Sequence, residues 1–122
     1  MTARQIATVH AGSRVVVGAA LTLAPKAAAA GWIGKDAGRT PVTTLTRGLG
    51  VRDAVMGLGA LSTLDDAEAA KPWLTACVVS DAVDLGATLM ARDQLPKQGV
   101  AAVTAVAVGS AALGAWLLSA LD

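Results

Sequence analysis

Four long apolar stretches, at residues 5–24, 42–64, 72–91 and 99–121, alternate with short polar connections rich in charge, Pro and Gly. A helix rising 1.5 Å per residue needs about 20 residues to cross roughly 30 Å of hydrocarbon, and each stretch is about that long. The last contains no charged residue, which makes it the clearest membrane signal in the chain. The pattern predicts an all-α integral membrane bundle of four transmembrane helices forming one domain over residues 1–122.

The other three stretches carry charge at their middles. Arg14 sits near the centre of the first, Arg52 and Asp53 near the centre of the second, and Asp81 with Asp84 in the third. Charge at mid-bilayer costs about 2.5–3.5 kcal/mol per residue on insertion scales, so intramembrane ions default to a functional reading and to mutual pairing. Asp81 and Asp84 lie three apart and share one helical face. With Arg47 included, three arginines face three aspartates, so the expected network is neutral; Arg47, two turns from its helix start, can instead snorkel outward.

The second stretch holds four glycines, Gly48, Gly50, Gly57 and Gly59. In water each weakens a helix by about 0.8–1 kcal/mol. In lipid they mark faces where another backbone packs closely. Ser110 with Gly114 and Ala105 with Gly109 form similar small pairs on the fourth stretch, so a homo-oligomer joined through the glycine-rich faces and the fourth helix is expected.

The connections supply the boundaries. Pro25 ends the first stretch, a short surface helix is expected over residues 26–33, and Pro41 suits a helix start. Asp65, Asp66, Glu68 and Lys71 read as an exposed acidic turn, after which Pro72 and Trp73 open the third helix. Trp32, Trp73 and Trp116 fit the headgroup level. An alternative for the first stretch is a secretory signal with Arg4 and Arg14 as its basic region; that region is too long for the pattern, and a retained helix is expected. Lys26, Lys35, Arg39, Arg92 and Lys97 lie on one side, Arg4 and Lys71 on the other. The positive-inside rule then predicts a multi-pass protein of the bacterial cytoplasmic (inner) membrane with both termini outside.

Composition narrows the function. The chain is 54% hydrophobic, with three Trp and no Phe or Tyr, and its formal net charge of +1 offers no basic patch for nucleic acid. Mean hydropathy is +0.57. A single Cys, Cys77, excludes an internal disulfide, and His10 has no His or Cys partner, so neither cofactor nor metal is expected. Asp81-Ala-Val-Asp84-Leu-Gly86 followed by Ala91-Arg92 superficially looks like the aspartate motif of membrane CDP-alcohol phosphotransferases, which hold a divalent metal against a diphosphate. The spacing to the Ala-Arg pair differs, and no second aspartate cluster follows on the fourth helix.

Arg14-x3-Gly18, Leu23-Ala24-Pro25, Trp32-x-Gly34, Arg47-x-Leu49-Gly50-Val51-Arg52-Asp53 and Asp81-x2-Asp84 together resemble a family of small bacterial four-helix membrane proteins of unknown function. The resemblance covers the first three helices and implies topology without an activity. The leading expectation is a transport or channel-type protein with Arg14, Arg52, Asp53, Asp81 and Asp84 as its ligand-binding or ion-pathway residues. The alternatives are an accessory or scaffold subunit of a membrane complex, in which the ions only lock the helices, and a metal-dependent lipid head-group enzyme. A cavity that reaches Asp81 and Asp84 separates the first alternative from the leading reading.

Overall fold

The computed structural model describes residues Met1–Asp122 and contains no strand. Five α-helices follow in order: α1 (Ala3–Leu23), α2 (Pro25–Ile33), α3 (Thr40–Thr63), α4 (Ala67–Met90) and α5 (Lys97–Ala120). Single 3-10 turns, Gly34–Gly38 and Arg92–Gln94, complete the connections. α1, α4 and α5 are long enough and apolar enough to cross a membrane. α3 equals α4 and α5 in length, at 24 residues, but carries Arg47, Arg52 and Asp53. The expected span there differs from the other three because three ions dilute its apolar content.

Most helix ends lie where the punctuation put them. Thr2 and Gln5 form a capping box at the start of α1, with Thr2 Oγ1 accepting from the Gln5 amide at 3.1 Å. Pro25 begins α2, and Pro41 lies in the first turn of α3, where a missing N–H breaks no helical bond. α4 corrects the sequence reading. It begins at Ala67, five residues before Pro72, because the Asp66 carboxylate accepts from the amides of Glu68 and Ala69 at 3.0 and 3.2 Å. Glu68 and Lys71, expected in an exposed turn, pair three residues apart at the start of this helix.

Buried positions recur at helical intervals. On α1 they are Ala7, His10, Ala11, Arg14, Gly18 and Leu21; on α4, Ala70, Leu74, Cys77, Asp81 and Thr88. The most extensive interfaces join α1 to α3 and α4 to α5. Glycine makes the first of these. A Cβ on Gly18 would stand 2.5 Å from the Ala54 nitrogen and the Gly50 oxygen, and one on Gly57 would stand 2.6 Å from the Ala11 oxygen. The two backbones therefore touch directly. Gly50 and Gly57 are used inside the chain rather than left for a partner, whereas Gly48 and Gly109 face open space.

Only 25 of 122 residues are buried, and two small apolar clusters mark the two ends of the bundle. One gathers Ala7, Ala11, Ala60, Leu74, Leu117 and Leu121. The other gathers Leu21, Ala29 and Ala37. Meanwhile Val16, Leu45, Val55, Val79, Val83 and Val106 project outward, each at least half exposed. Apolar side chains thus face away from the bundle all along its long helices, and the charged residues inside lie between the two clusters.

Candidate functional site

Each long helix delivers its central polar residue to the same level. Arg14 lies eleven residues into α1, Arg52 and Asp53 twelve and thirteen into α3, and Asp81 fourteen into α4. The five residues singled out in the sequence come together as one continuous row. Arg14 Nη1 donates to Asp81 Oδ1 and Oδ2 at 2.9 and 3.1 Å, and its Nη2 donates to Asp53 Oδ1 at 3.3 Å. Arg52 Nη2 donates to the same Asp53 oxygen at 3.1 Å and to Asp84 Oδ2 at 2.9 Å. The order Asp81–Arg14–Asp53–Arg52–Asp84 alternates in sign and ties three helices together.

Burial is deepest at the Arg14 end. The side chains of Arg14, Asp53 and Asp81 are 8%, 12% and 10% exposed, against 32% and 22% for Arg52 and Asp84. A guanidinium suits the middle positions because its fork of five donors serves two carboxylates at once.

Arg47 does not join the row. It is exposed and donates to the Thr22 carbonyl at 2.6 Å, nearer the end of the bundle. That alters the expected balance. Two guanidiniums now face three carboxylates, and the row carries a formal charge of −1. Asp53 Oδ1 serves both arginines, while its Oδ2 accepts no hydrogen bond from the chain.

Above the row, a cavity of about 560 Å³ opens between α1 and α5. Arg14, Asp53, Asp81 and Asp84 line it, and Arg52 does not. Its walls are mainly apolar, and Val9, Val17 and Val106 on its rim are 61%, 50% and 70% exposed on the outer surface. The opening is therefore lateral, through the side of the bundle.

His10, Ser110 and Trp32 also line the cavity and were not among the site residues expected. His10 is buried beside the row, and its Nε2 has no hydrogen-bond partner. Ser110 lies 3.5 Å from Arg14 Nη1. Trp32 forms part of the wall, where its Nε1–H donates to Thr88 Oγ1 at 3.0 Å. Ser110 reads as a small packing residue and Trp32 as a headgroup anchor, and only the placement of α2 across the cavity end brings Trp32 inward. Trp73 also departs from the anchor expectation by lying over Gly59 of α3, whereas Trp116 is 46% exposed. Thr88, the residue that holds Trp32, donates its own proton to the Asp84 carbonyl at 2.7 Å.

No three His, Cys, Asp or Glu side chains converge as metal ligands. The Asp81 and Asp84 oxygens accept hydrogen bonds from guanidinium donors. What the arrangement offers is a surplus negative charge, held by fixed arginines at the floor of an apolar cleft. No family model, curated protein or solved structure matches the chain.

Proposed function

We propose that this protein is a small transport or channel-type membrane protein, with Arg14, Arg52, Asp53, Asp81 and Asp84 as its ion-binding or ion-pathway residues. The observation that carries this reading is the odd count of the buried row. Two cations and three anions leave one negative charge facing a cavity, where a captured proton or other cation restores neutrality. A row built only to lock helices needs neither a surplus charge nor an opening that reaches four of its five members.

In this reading α3 is the fourth span, accompanying α1, α4 and α5. Its ions face inward or toward a neighbouring helix, and neighbours satisfy them as intramembrane charges require. The outward aliphatic side chains supply the lipid contact. One end of the bundle carries Lys26, Lys35, Arg39, Arg92 and Lys97 against Asp36 and Asp93; the other carries Arg4 and Lys71 against Asp65, Asp66, Glu68 and Asp122. The positive end faces the cytoplasm of a bacterial cell, with both termini outside. The exposed stripe of Ala105, Gly109 and Ala112 on α5 suits a second copy of the chain.

Vesicles carrying the purified protein and a trapped pH dye test the reading. Under an imposed potential the wild type is expected to carry protons faster than empty vesicles, and Asp81→Asn is expected to remain folded and lose that flux. Wild-type flux no greater than that of empty vesicles counts against transport. A scaffold reading is favoured by one specific feature, the sharing of Asp53 between both arginines, which ties α1 to α3 while the same arginines reach Asp81 and Asp84 on α4. It predicts that Arg52→Ala prevents assembly while no flux is seen in the wild type.

A further inference from the structure

Building on the transport reading, which leaves the substrate open, we infer that the cleft between α1 and α5 binds a monovalent organic cation with an apolar body, taken up sideways from the lipid.

Sign comes first. The terminal nitrogens of both guanidinium groups are already held by carboxylates, leaving only the buried Arg14 Nε–H without a partner, and the formal surplus charge is negative. An anionic headgroup or phosphate is therefore repelled by the floor of the cleft. Asp53 Oδ2, on a residue that lines the cavity, is the acceptor the chain leaves without a donor. His10, nine-tenths buried against the same cavity, also keeps an unpartnered ring nitrogen.

Valence is set by the count. One surplus charge balances one positive charge. A hard divalent ion takes six or more oxygen ligands at short range, and the carboxylates here are pinned to arginines and do not converge.

The walls set the size and chemistry of the body. About 560 Å³ falls within the range of roughly 300–1,000 Å³ that holds drug-sized molecules. Val17, Leu21, Val103 and Leu113 give an apolar lining, and the indole of Trp32, held by Thr88, presents a ring suited to a desolvated cation. The exposed rim at Val9 and Val106 places the entrance on the flank of the bundle. A bare inorganic ion gains nothing from such walls, and a strongly hydrated one does not arrive through them.

Tetraphenylphosphonium and tetraphenylborate have the same shape and opposite charge, so together they test the inference. Equilibrium dialysis of each against the purified full chain in detergent micelles, corrected for protein-free micelles, is expected to give saturable binding of the phosphonium alone. Two variants remove the surplus in opposite ways. Asp84→Asn deletes one anion while leaving Arg52 paired with Asp53, and Ser110→Lys adds a cation inside the cleft. Each is expected to weaken phosphonium binding by about 100-fold, the effect of one unit charge about 6 Å away at an effective dielectric near 20. Equal binding of the two probes by the wild type, or undiminished phosphonium binding in a folded variant of either kind, overturns the inference. Proton flux in vesicles without phosphonium binding rejects the substrate class and leaves transport standing. Sign-selective binding without flux of proton or phosphonium upholds the class and rejects transport.

Discussion

Replacing Arg14 by Met removes the charge that joins α1 to the rest of the row and keeps most of the side-chain volume. Asp81 then has no partner, since both its oxygens receive hydrogen bonds from Arg14 alone. Asp53 retains Arg52. With charge centres about 4 Å apart and an effective dielectric near 20, the lost attraction is about 4 kcal/mol. That agrees with the roughly 3–5 kcal/mol typical when one member of a buried pair is deleted, and the 8% and 10% side-chain exposures give water little room to reduce it. The variant is expected to lose about 3–5 kcal/mol in reversible SDS unfolding from mixed micelles, followed by far-ultraviolet circular dichroism. Asp81→Leu alone should cost less, because Arg14 still has Asp53 at 3.3 Å. Combining Arg14→Met with Asp81→Leu should restore most of the loss, since a buried pair replaced by apolar groups is often near neutral. The reasoning fails if Arg14→Met costs under about 1 kcal/mol, or if the two changes simply add; either result means that the pair is solvated.

Other consequences come from the packing. Gly50→Ala should destabilise by about 1–3 kcal/mol, because its Cβ would stand 2.5 Å from Thr22 Oγ1, whereas Gly48→Ala, facing open space, should be neutral or stabilise by up to about 1 kcal/mol in the same unfolding assay. Asp66→Ala should cost about 1 kcal/mol and speed hydrogen exchange at the first turn of α4 without disturbing α5, as loss of an N-cap does. Among single-Trp variants in vesicles of brominated lipid, the one retaining Trp116 should be quenched more than the one retaining Trp32, which is held in the cavity wall by Thr88. Equal quenching would contradict the inward placement of Trp32.

Much of this arrangement was legible in the chain because its signals are discrete. A charge in the middle of an apolar stretch is rare, so Arg14, Arg52, Asp53, Asp81 and Asp84 declared themselves, and helical spacing placed Asp81 and Asp84 on one face. Pro25 marked the end of the first helix and Pro41 the start of the next long one by their own backbone chemistry. Pro72 misled for the same reason: a cap earlier in the chain, at Asp66, outweighs the bond that a proline removes in the second turn. Arg47 stayed open between the row and the surface because its place depends on the reach of a flexible side chain to the Thr22 carbonyl, which spacing does not encode. The cavity was invisible for a different reason. It arises from the separation of α1 from α5, set by Gly18 and Gly57 drawing α1 onto α3 and by Gly114 drawing α5 onto α4, a balance between whole interfaces. Trp32 and Ser110 acquire their positions only from that balance.

The innermost layer at the Arg4 end is built from residues that are already among the smallest available. Ala7, Ala11, Ala60 and Ala70 have no exposed surface, and Gly57 admits no added carbon without displacing α1. Mutational tolerance there is one-sided. Nearly every substitution enlarges the side chain and acts as a wedge, while the truncations that hollow out ordinary cores are confined to a few bulkier sites such as Leu74 and Leu117. A saturation scan should therefore read as a map of helix separation, with damage at these alanines rising with side-chain volume whatever the polarity of the replacement.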